Sequence, residues 1–285
     1  MNKELRFLIV GLGLMGGSYA YALSKRGYHV SGIDINQESI DYALKNRLIE
    51  KGSVNVNEAI VQEADIIFFG LYPNTMISWI KKHRSLFKDG CLISDVSGVK
   101  CNVVDVVQDL LKDQPVEFIA SHPMAGKEVS GVAYANDAMF QQANFIITPT
   151  DKNSTQAISF LTEFAKELNF ANISMLSPQK HDEMIGYVSQ LTHAIAISLM
   201  NANDNPDLVN YTGDSFRDLT RIARINEQLW TELFFLNKDN LIREIDDFKA
   251  ALETLKQTLL DEDSDKLKQM MITSTKRRAW FDKKQ

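Results

Sequence analysis

Residues 6–18 read RFLIVGLGLMGGS, and this stretch decides how the first half of the chain folds. The apolar run at residues 6–10 is typical of a strand, and residues 19–23 are typical of a helix. Between them lies a glycine-rich turn with the spacing GxGxxG. A strand, this turn and a helix in immediate succession predict a loop that holds the pyrophosphate of a dinucleotide.

Each glycine of the turn has its own expected function. Gly11 permits the tight bend, Gly13 lets backbone N–H groups approach the pyrophosphate, and Gly16 lets the helix pack closely on the strand. The helix N-terminus, at Leu14 and Met15, adds unpaired N–H groups and the positive end of the helix dipole. We expect all five residues to contact the cofactor.

A second strand that ends in an acidic residue supports this interpretation, because the GxGxxG spacing alone is a weak signal. Residues 28–33 form the expected strand, and Asp34 follows it where a carboxylate accepts hydrogen bonds from the adenosine ribose. No Lys or Arg occurs between Asp34 and Lys45, so the 2'-phosphate of NADP would meet a carboxylate without a counter-charge. The sequence therefore predicts NAD as the cofactor.

The alternation of strand and helix patterns predicts an α/β domain at residues 1–170, with a doubly wound parallel sheet of the Rossmann type. After Ser177-Pro178 the strand patterns end, which predicts an all-α domain at residues 171–285. Within it, residues 181–200 are spaced as one helix that is too apolar for an ordinary solvated surface. We expect this domain to bind substrate and to form a homodimer, with intrachain packing of the apolar helix as the alternative.

The composition restricts the possible partners and the compartment. A net charge of -6 over 285 residues argues against nucleic acid or an anionic membrane as the main partner, because both attract clustered Lys and Arg. Cys91 and Cys101 do not form a CxxC pair, and two cysteines alone cannot make a metal site, so we expect no metal. No apolar run reaches the length of a membrane span. We therefore expect a cytoplasmic enzyme.

Three predicted loops follow strands of the parallel sheet. They start at Gly70, Asp95 and Ser121. Because ligands of doubly wound sheets bind outside the carboxyl ends of the strands, these loops should surround the reactive end of the cofactor. On this ground we expect Tyr72, Pro73 and Ser97 to lie in the cofactor site.

His122 is the strongest candidate for a catalytic group. It lies at the carboxyl end of a predicted strand, where no packing function requires an imidazole, and it could take a proton from a substrate hydroxyl while nicotinamide takes a hydride. His29, His83 and His181 lie at predicted surface or strand-start positions, which explain these histidines without a catalytic function. His193 lies within the apolar helix, where a core histidine and a substrate-contacting one are equally plausible.

The segment 213–224 is rich in arginine, with three in the eight residues from 217 to 224. A guanidinium binds a carboxylate through two parallel hydrogen bonds, so the segment suits recognition of an acidic substrate. Arg217 and Arg224 are explained as exposed helix-surface charges, whereas for Arg221 we favour a substrate contact.

Taken together, several motifs resemble the prephenate dehydrogenases of tyrosine biosynthesis. The motifs are GLGLMGGS at Gly11, DVSGVK at Asp95, SHPMAG at Ser121, the apolar helix with His193, and SFRDLTRIA with Trp230 nine residues after Arg221. The resemblance implies an oxidative decarboxylation of prephenate by NAD+, which yields 4-hydroxyphenylpyruvate and CO2.

The same resemblance implies functions for individual residues. His122 matches the catalytic histidine that hydrogen-bonds the ring hydroxyl, Arg221 the arginine that binds a substrate carboxylate, and His193 a second substrate-site histidine. We also expect Lys127 and Glu128, which directly follow SHPMAG, to contact the substrate, with Lys127 adding a contact to a carboxylate.

This chain departs from the family pattern at a few positions. It has Ser97-Gly98 where the family commonly has Gly-Ser, so the serine that assists the catalytic histidine is displaced by one position. Lys127 stands where Ser or Thr is usual, and Gln190 replaces a histidine often found three residues before His193.

Three other functions compete with this interpretation. Arogenate dehydrogenase has the same fold and acts on the amino acid instead of the keto acid. The beta-hydroxyacid dehydrogenases resemble the chain through residues 11–30, but they leave SHPMAG and Arg221 unexplained. A dinucleotide-sensing regulator would need a partner surface, commonly a basic DNA-binding helix, and the acidic balance of the chain offers none.

Overall fold

The computed structural model describes residues 1–126 and 129–282. Its first half is built on a parallel sheet with the strand order β3-β2-β1-β4-β5-β6. The strands are β1 Arg6–Val10, β2 His29–Ile33, β3 Lys51–Ser53, β4 Ile66–Phe69, β5 Leu92–Asp95 and β6 Glu117–Phe118. The order reverses between β1 and β4, which creates the crevice where doubly wound folds bind their ligands.

Helices cover both faces of this sheet, as a sheet of buried parallel strands requires. They are α1 Leu14–Lys25, α2 Gln37–Lys45, α3 Glu58–Glu63, α4 Pro73–His83, α5 Cys101–Leu111 and α6 Thr155–Glu167. Successive side chains of β1 point to opposite faces, so Phe7 and Ile9 join one buried core and Leu8 and Val10 join the other. The predicted Rossmann-type domain is confirmed.

A second, three-stranded sheet was not expected from the sequence. It consists of β7 Ala120–Met124, β8 Asn144–Thr148 and β9 Asn172–Met175 in that order, with β7 antiparallel and β9 parallel to β8. The prediction that Ser121 begins a loop was therefore wrong, because His122 lies within β7. Pro123 obscured this strand, and it is tolerated because β7 is an edge strand.

The strand β9 was also missed, for a different physical reason. Its four residues alternate between polar and apolar side chains, but the run is short and three of them, Asn172, Ser174 and Met175, are exposed, so the segment lacks the longer apolar pattern of a buried strand. Its pairing with β8 is decided by the tertiary structure alone.

After β9 the described chain is helical, as predicted. The α-helices are α7 Pro178–Ile185, α8 Thr192–Asn201, α9 Asp214–Thr220, α10 Glu227–Leu236, α11 Lys238–Leu260 and α12 Ser264–Arg278. The single helix expected over residues 181–200 is interrupted, because a π-helical turn, Gly186–Leu191, joins α7 to α8. Within that turn, Gln190 is buried and donates from Nε2 to the carbonyl of Leu233 at 3.0 Å.

The chain divides into two compact units, of which the first is Met1–Asn237 and the second begins at Lys238. The second unit contains α11 and α12, and the Thr258 hydroxyl in it contacts the sulfur of Met270 at 3.9 Å. The division at residues 170 and 171 stays a prediction. No helix in the described ranges is long and apolar enough to cross a membrane.

Candidate active site

The glycine-rich loop connects β1 to α1 and is too tightly packed for other residues. Gly11 has φ +94°, and a Cβ on it would lie 2.8 Å from the carbonyl oxygen of Gly70. A Cβ on Gly16 would lie 1.9 Å from the Gly11 carbonyl oxygen, which is an impossible contact. The loop after β4 therefore packs directly on the loop after β1, as predicted for loops at one edge of the sheet.

The opposite side of the same loop is open. A Cβ added at Gly13 would meet no atom within 4 Å. Gly13 is the N-cap residue of α1, so no side chain at that position accepts from the first N–H groups of the helix. The first turn of α1 also carries no acidic residue, and Leu14 and Met15 are only partly buried. Backbone N–H groups are thus available to an anion at this helix N-terminus, and the geometry fits a dinucleotide pyrophosphate.

Asp34 follows β2 and is held rigidly beside this loop. Its Oδ2 accepts from the N–H of Leu12 at 2.6 Å, and its Oδ1 accepts from the N–H of Asn36 at 2.8 Å. A carboxylate has about four acceptor positions, so lone pairs remain for ribose hydroxyls. Among the described ion pairs none involves Asp34, which fits a site without a counter-charge for a 2'-phosphate.

Tyr72 and Pro73 lie at the start of α4 and connect the sheet domain to later helices. Pro73 is the first helical residue, and the Tyr72 hydroxyl accepts from Nδ2 of Asn226 at 2.9 Å. The N–H of Asn74 donates to Oε1 of Glu232 at 2.5 Å. Because α10 carries Glu232, that helix is anchored at the carboxyl edge of the sheet.

The loop after β5 is organised by a buried ion pair that sequence reasoning missed. Lys100 Nζ donates to Asp95 Oδ2 at 2.7 Å, and both side chains are fully buried. Asp95 also accepts from the N–H of Ser97 at 2.9 Å and from the N–H of Ser121 at 3.2 Å. Burial lowers the pKa of Lys100 more than its contact with Asp95 raises it.

Ser97, predicted for both catalysis and the cofactor site, has a buried hydroxyl with no hydrogen-bond partner among the described residues. A buried hydroxyl is normally paired, so Oγ is suited to contact a ligand that enters this site. The neighbouring Gly98 lies next to the predicted catalytic histidine, because a Cβ on Gly98 would be 3.9 Å from Cε1 of His122.

His122 makes its hydrogen bond to a second histidine. Nδ1 of His122 lies 2.9 Å from Nε2 of His181, and Nδ1 of His181 lies 2.7 Å from Oδ1 of Asp182. The surface or strand-start explanation of His181 was wrong, since its side chain is fully buried. The His-Asp dipeptide at the start of the apolar helical segment was the available signal for this contact.

The environment keeps His122 neutral near pH 7. Burial lowers its pKa well below the usual value, and the neighbouring His181 and Lys100 lower it further. A neutral imidazole has one nitrogen with a free lone pair, so His122 is suited to accept a proton.

His193 lies on α8 and is oriented by two contacts. Its Nδ1 lies 2.9 Å from the carbonyl oxygen of Ser189, and its ring stacks on Trp230 with the centroids 3.6 Å apart. Because a carbonyl only accepts, Nδ1 of His193 is the donor. Burial lowers the pKa of His193.

The helix α10 connects the two histidine sites. Trp230 and Leu233 are three residues apart and lie on one side of the helix. Trp230 stacks on His193, while a Cδ atom of Leu233 is 3.4 Å from the Cβ position of Gly98, which adjoins His122. No hydrogen bond joins His122 to His193 in the described part of the chain.

Arg221 begins a 3-10 turn, Arg221–Ala223, directly after α9, and its side chain is exposed. This turn packs against α8, the helix of His193. Lys127 and Glu128 lie outside the described residues. Within those residues no group of three or more His, Cys, Asp or Glu side chains could hold a metal ion.

Comparisons with known proteins indicate the same family over nearly the whole chain. Residues 19–173 match the family model of the prephenate dehydrogenase nucleotide-binding domain, and residues 177–273 match that of the prephenate dehydrogenase dimerization domain. A prephenate dehydrogenase of Bacillus subtilis is 31% identical over 267 residues, which cover 91% of this chain and 71% of that protein.

Solved structures show the same relationship. A prephenate dehydrogenase from A. aeolicus, in complex with hydroxyphenyl propionate and NAD+, has a TM-score of 0.90, 30% identity, and coverage of 99% of both chains. Arogenate dehydrogenase from Synechocystis shares the fold, with a TM-score of 0.83, 23% identity, and coverage of 98% of this chain and 100% of that one. The chain belongs to the prephenate dehydrogenase family.

Proposed function

We propose that this protein catalyses the NAD-dependent oxidative decarboxylation of prephenate to 4-hydroxyphenylpyruvate in tyrosine biosynthesis. The observation that carries the proposal is His122, a neutral histidine held by a hydrogen bond and placed next to the Asp95 loop at the edge of a dinucleotide-binding sheet. Membership of the prephenate dehydrogenase family supports the same reaction.

The cofactor site is assigned to the residues whose geometry fits NAD. Gly11, Gly13 and Gly16, with the backbone of Leu14 and Met15, would hold the pyrophosphate, and Asp34 would bind the ribose hydroxyls. Tyr72, Pro73 and Ser97 would lie around the nicotinamide end, on the loops after β4 and β5. When bound, NAD+ supplies the acceptor for a hydride.

His122 would act on the ring hydroxyl of the substrate. As the hydride leaves the carbon that bears this hydroxyl, the hydroxyl proton becomes more acidic, and the free lone pair of His122 accepts it. The bond from the ring to its carboxylate breaks, CO2 departs, and the bonding electrons complete the aromatic ring. The proton returns to the phenolic oxygen, so the reaction exchanges no net proton.

Arg221 and His193 are assigned to the substrate. Prephenate carries two carboxylates, and Arg221 would bind one of them through its guanidinium. His193 would contact the substrate through Nε2, because Nδ1 is used by Ser189. Lys127 and Glu128 are proposed as further substrate contacts because they directly follow SHPMAG in the sequence, where a lysine would add a contact to a carboxylate. Ser97 is proposed as a group that assists His122.

The helical part of the chain supports a homodimer, since it matches a family dimerization domain. Several apolar side chains of α7, the π-helical turn and α8 are exposed in a single chain. They include Met184, Tyr187, Val188 and Met200. A second copy that covered them would remove apolar surface from water. We also propose the domain boundary between residues 170 and 171; the two family models change over close to it, since the first ends at residue 173 and the second begins at residue 177.

We propose a cytoplasmic location on chemical grounds. Cys91 and Cys101 are both free thiols, as a reducing compartment would keep them. The proposed reaction also consumes NAD+, so the enzyme would need a compartment that supplies this cofactor.

The experiment that tests the function is an assay of purified protein with prephenate and with arogenate, each with NAD+ and NADP+. We expect NADH formation and 4-hydroxyphenylpyruvate with prephenate and NAD+. Faster turnover of arogenate, with tyrosine as the product, would favour the alternative substrate. Oxidation of neither compound by folded protein that binds NAD+ would contradict both assignments.

A further inference from the structure

The buried hydrogen bond of His122 continues through a second imidazole to a carboxylate. The Nδ1 of His122 is 2.9 Å from Nε2 of His181, whose Nδ1 is 2.7 Å from Oδ1 of Asp182. The two rings have centroids 5.1 Å apart and planes 58° apart. Both nitrogens of the fully buried His181 are therefore used, one toward each neighbour.

Asp182 is an acceptor in this series of contacts. Its oxygens also accept from the N–H groups of Lys100 at 2.7 Å and Cys101 at 2.8 Å, at the start of α5. Burial raises the pKa of Asp182, but the hydrogen bonds from His181 and the Cys101 N–H lower it more, so its pKa lies below the usual value. An ionised carboxylate cannot donate, so the proton between the two side chains belongs to Nδ1 of His181.

The direction of the second hydrogen bond follows from the first. A neutral imidazole holds one proton, and in His181 that proton is on Nδ1, which leaves a lone pair on Nε2. Nδ1 of His122 must then donate to Nε2 of His181. The proton of neutral His122 is thereby assigned to Nδ1, and its Nε2, which has no hydrogen-bond partner among the described residues, keeps the free lone pair.

We propose that His181 and Asp182 position His122 and fix its tautomer, so that Nε2 of His122 is the atom that accepts the substrate hydroxyl proton. The inference rests on the proposed function and specifies the base in it. His181 and Asp182 act through His122 and are positioning residues.

The charges around the two rings suit this function. Apart from Asp182, the charged groups of the described residues that act on the two rings are Lys100 and Asp95, which form their own ion pair at 2.7 Å. The carboxylate of Asp182 lies 2.7 Å from Nδ1 of His181 and also attracts the Lys100 ammonium, which is already paired with Asp95. It can offset the positive charge that His122 gains on accepting a proton, as the carboxylate does in a catalytic triad.

If His181 and Asp182 only stabilised the fold, the effects of substituting them would differ from those of positioning His122. Asp182 also joins α7 to the start of α5 by accepting from two backbone N–H groups. Its substitution would disturb this packing, so a loss of activity would not distinguish a structural function from the positioning of His122. His181 is the better target. In His181→Gln, the amide can still donate to Asp182 and accept from His122, whereas His181→Leu fills similar space without either hydrogen bond.

The first test measures the tautomer of His122 directly, by nitrogen NMR of the full-length protein labelled at histidine, near neutral pH. His122→Asn identifies the signals of that ring. We expect a protonated Nδ1 and an unprotonated Nε2. A ring protonated on Nε2, alone or together with Nδ1, would overturn the proposal. The measurement needs no turnover, so an inactive protein with the expected tautomer would contradict only the proposed function.

The second test compares steady-state kinetics of the two His181 variants, with His29→Asn as a control that alters a surface histidine bonded to Glu50. We expect His181→Leu to lower kcat at least about tenfold, within the range for loss of general-base catalysis, while KM values stay within about twofold. His181→Gln should recover most of the loss. Wild-type kcat in folded His181→Leu would overturn the proposal.

The double variant His122→Asn/His181→Leu separates positioning from packing. If His181 acts through His122, its loss should slow His122→Asn no further, because the group that it positions is already absent. Losses that multiply would show an independent effect of His181 and would overturn the inference. If His181→Leu fails to bind NAD+ or to fold, the tautomer measurement on the unaltered protein decides the question.

Discussion

The imidazole of His193 lies nearly flat on the indole of Trp230, with ring centroids 3.6 Å apart and planes 29° apart. The two residues lie on different helices, α8 and α10, so the stack fixes the ring of His193 against an element that also approaches His122. The hydrogen bond from Nδ1 to the Ser189 carbonyl fixes the remaining rotation. Among the described residues Nε2 of His193 has no hydrogen-bond partner, as its proposed contact with the substrate requires.

Removal of this stack should weaken substrate binding. In Trp230→Leu the ring of His193 loses a contact worth about 0.5–1.5 kcal/mol, so we expect KM for prephenate to rise roughly two- to tenfold with a smaller change in kcat. Steady-state kinetics at saturating NAD+ would measure this. Phe235→Leu, on the same helix at a side chain that is 71% exposed, is the matched control. An equal rise in the control would refute a specific effect of the stack.

Asp34 should determine the preference for NAD+ over NADP+. Its carboxylate is fixed by the N–H groups of Leu12 and Asn36 and would repel a 2'-phosphate. We expect Asp34→Asn to lower the ratio of kcat/KM for NAD+ to that for NADP+ by about tenfold or more, equivalent to at least about 1.4 kcal/mol. Comparable efficiency of the unaltered enzyme with both cofactors would contradict this function of Asp34.

His122→Asn should reduce turnover while the fold and cofactor binding remain. Loss of one positioned acid-base group lowers kcat about 10²- to 10⁴-fold. Titration with NAD+, followed by protein fluorescence, would check that the cofactor site is intact. Near-normal turnover would move the proton acceptor elsewhere, with His193 as the next candidate.

Arg221→Ala should chiefly raise KM for prephenate. A carboxylate remote from the reacting carbon is held similarly in the ground and transition states, so its loss affects binding more than kcat. A charge-assisted contact contributes roughly 1.5–3 kcal/mol, and Arg221→Lys should recover only part because the ammonium lacks the planar fork. Arg224→Ala is the control. An unchanged KM in folded Arg221→Ala would direct attention to Arg217 or Lys127.

One buried and two half-buried histidines should make the protein less stable in mild acid. Burial is the main cause that lowers the pKa values of His122, His181 and His193 below 6.5, so the unfolded chain binds protons that the folded chain does not. The free energy of unfolding should therefore decrease as the pH falls below about 6.5, and should vary less above it. Urea denaturation across this range would measure the slope.

A matched pair of variants tests whether the buried His181 contributes to that pH dependence of stability. His181→Gln removes one of the buried groups and should reduce the slope, whereas His29→Asn, at an exposed histidine, should leave it nearly unchanged. A slope that is the same in His181→Gln and in the unaltered protein would assign the effect to other groups.

The sequence by itself determined the features that depend on local chain geometry. Gly11 is required by its positive φ and Gly16 by its close approach to the Gly11 carbonyl oxygen, and Asp34 directly follows a short apolar strand. These constraints act between residues that are near in sequence, and they leave a fixed spacing that can be read. The same holds for the helical second half, because Ser177-Pro178 and the helical periodicity after it are local signals.

Only the tertiary structure decided which side chains meet in the site. His122 and His181 are 59 residues apart, and no local sequence pattern around either residue predicts their contact. The edge strands β7 and β9 form because β8 offers backbone partners, so their own composition predicts them poorly. Packing across elements also fixed the tautomer of His122 and the ring of His193, because a hydrogen-bond direction depends on what the partner's other atoms contact.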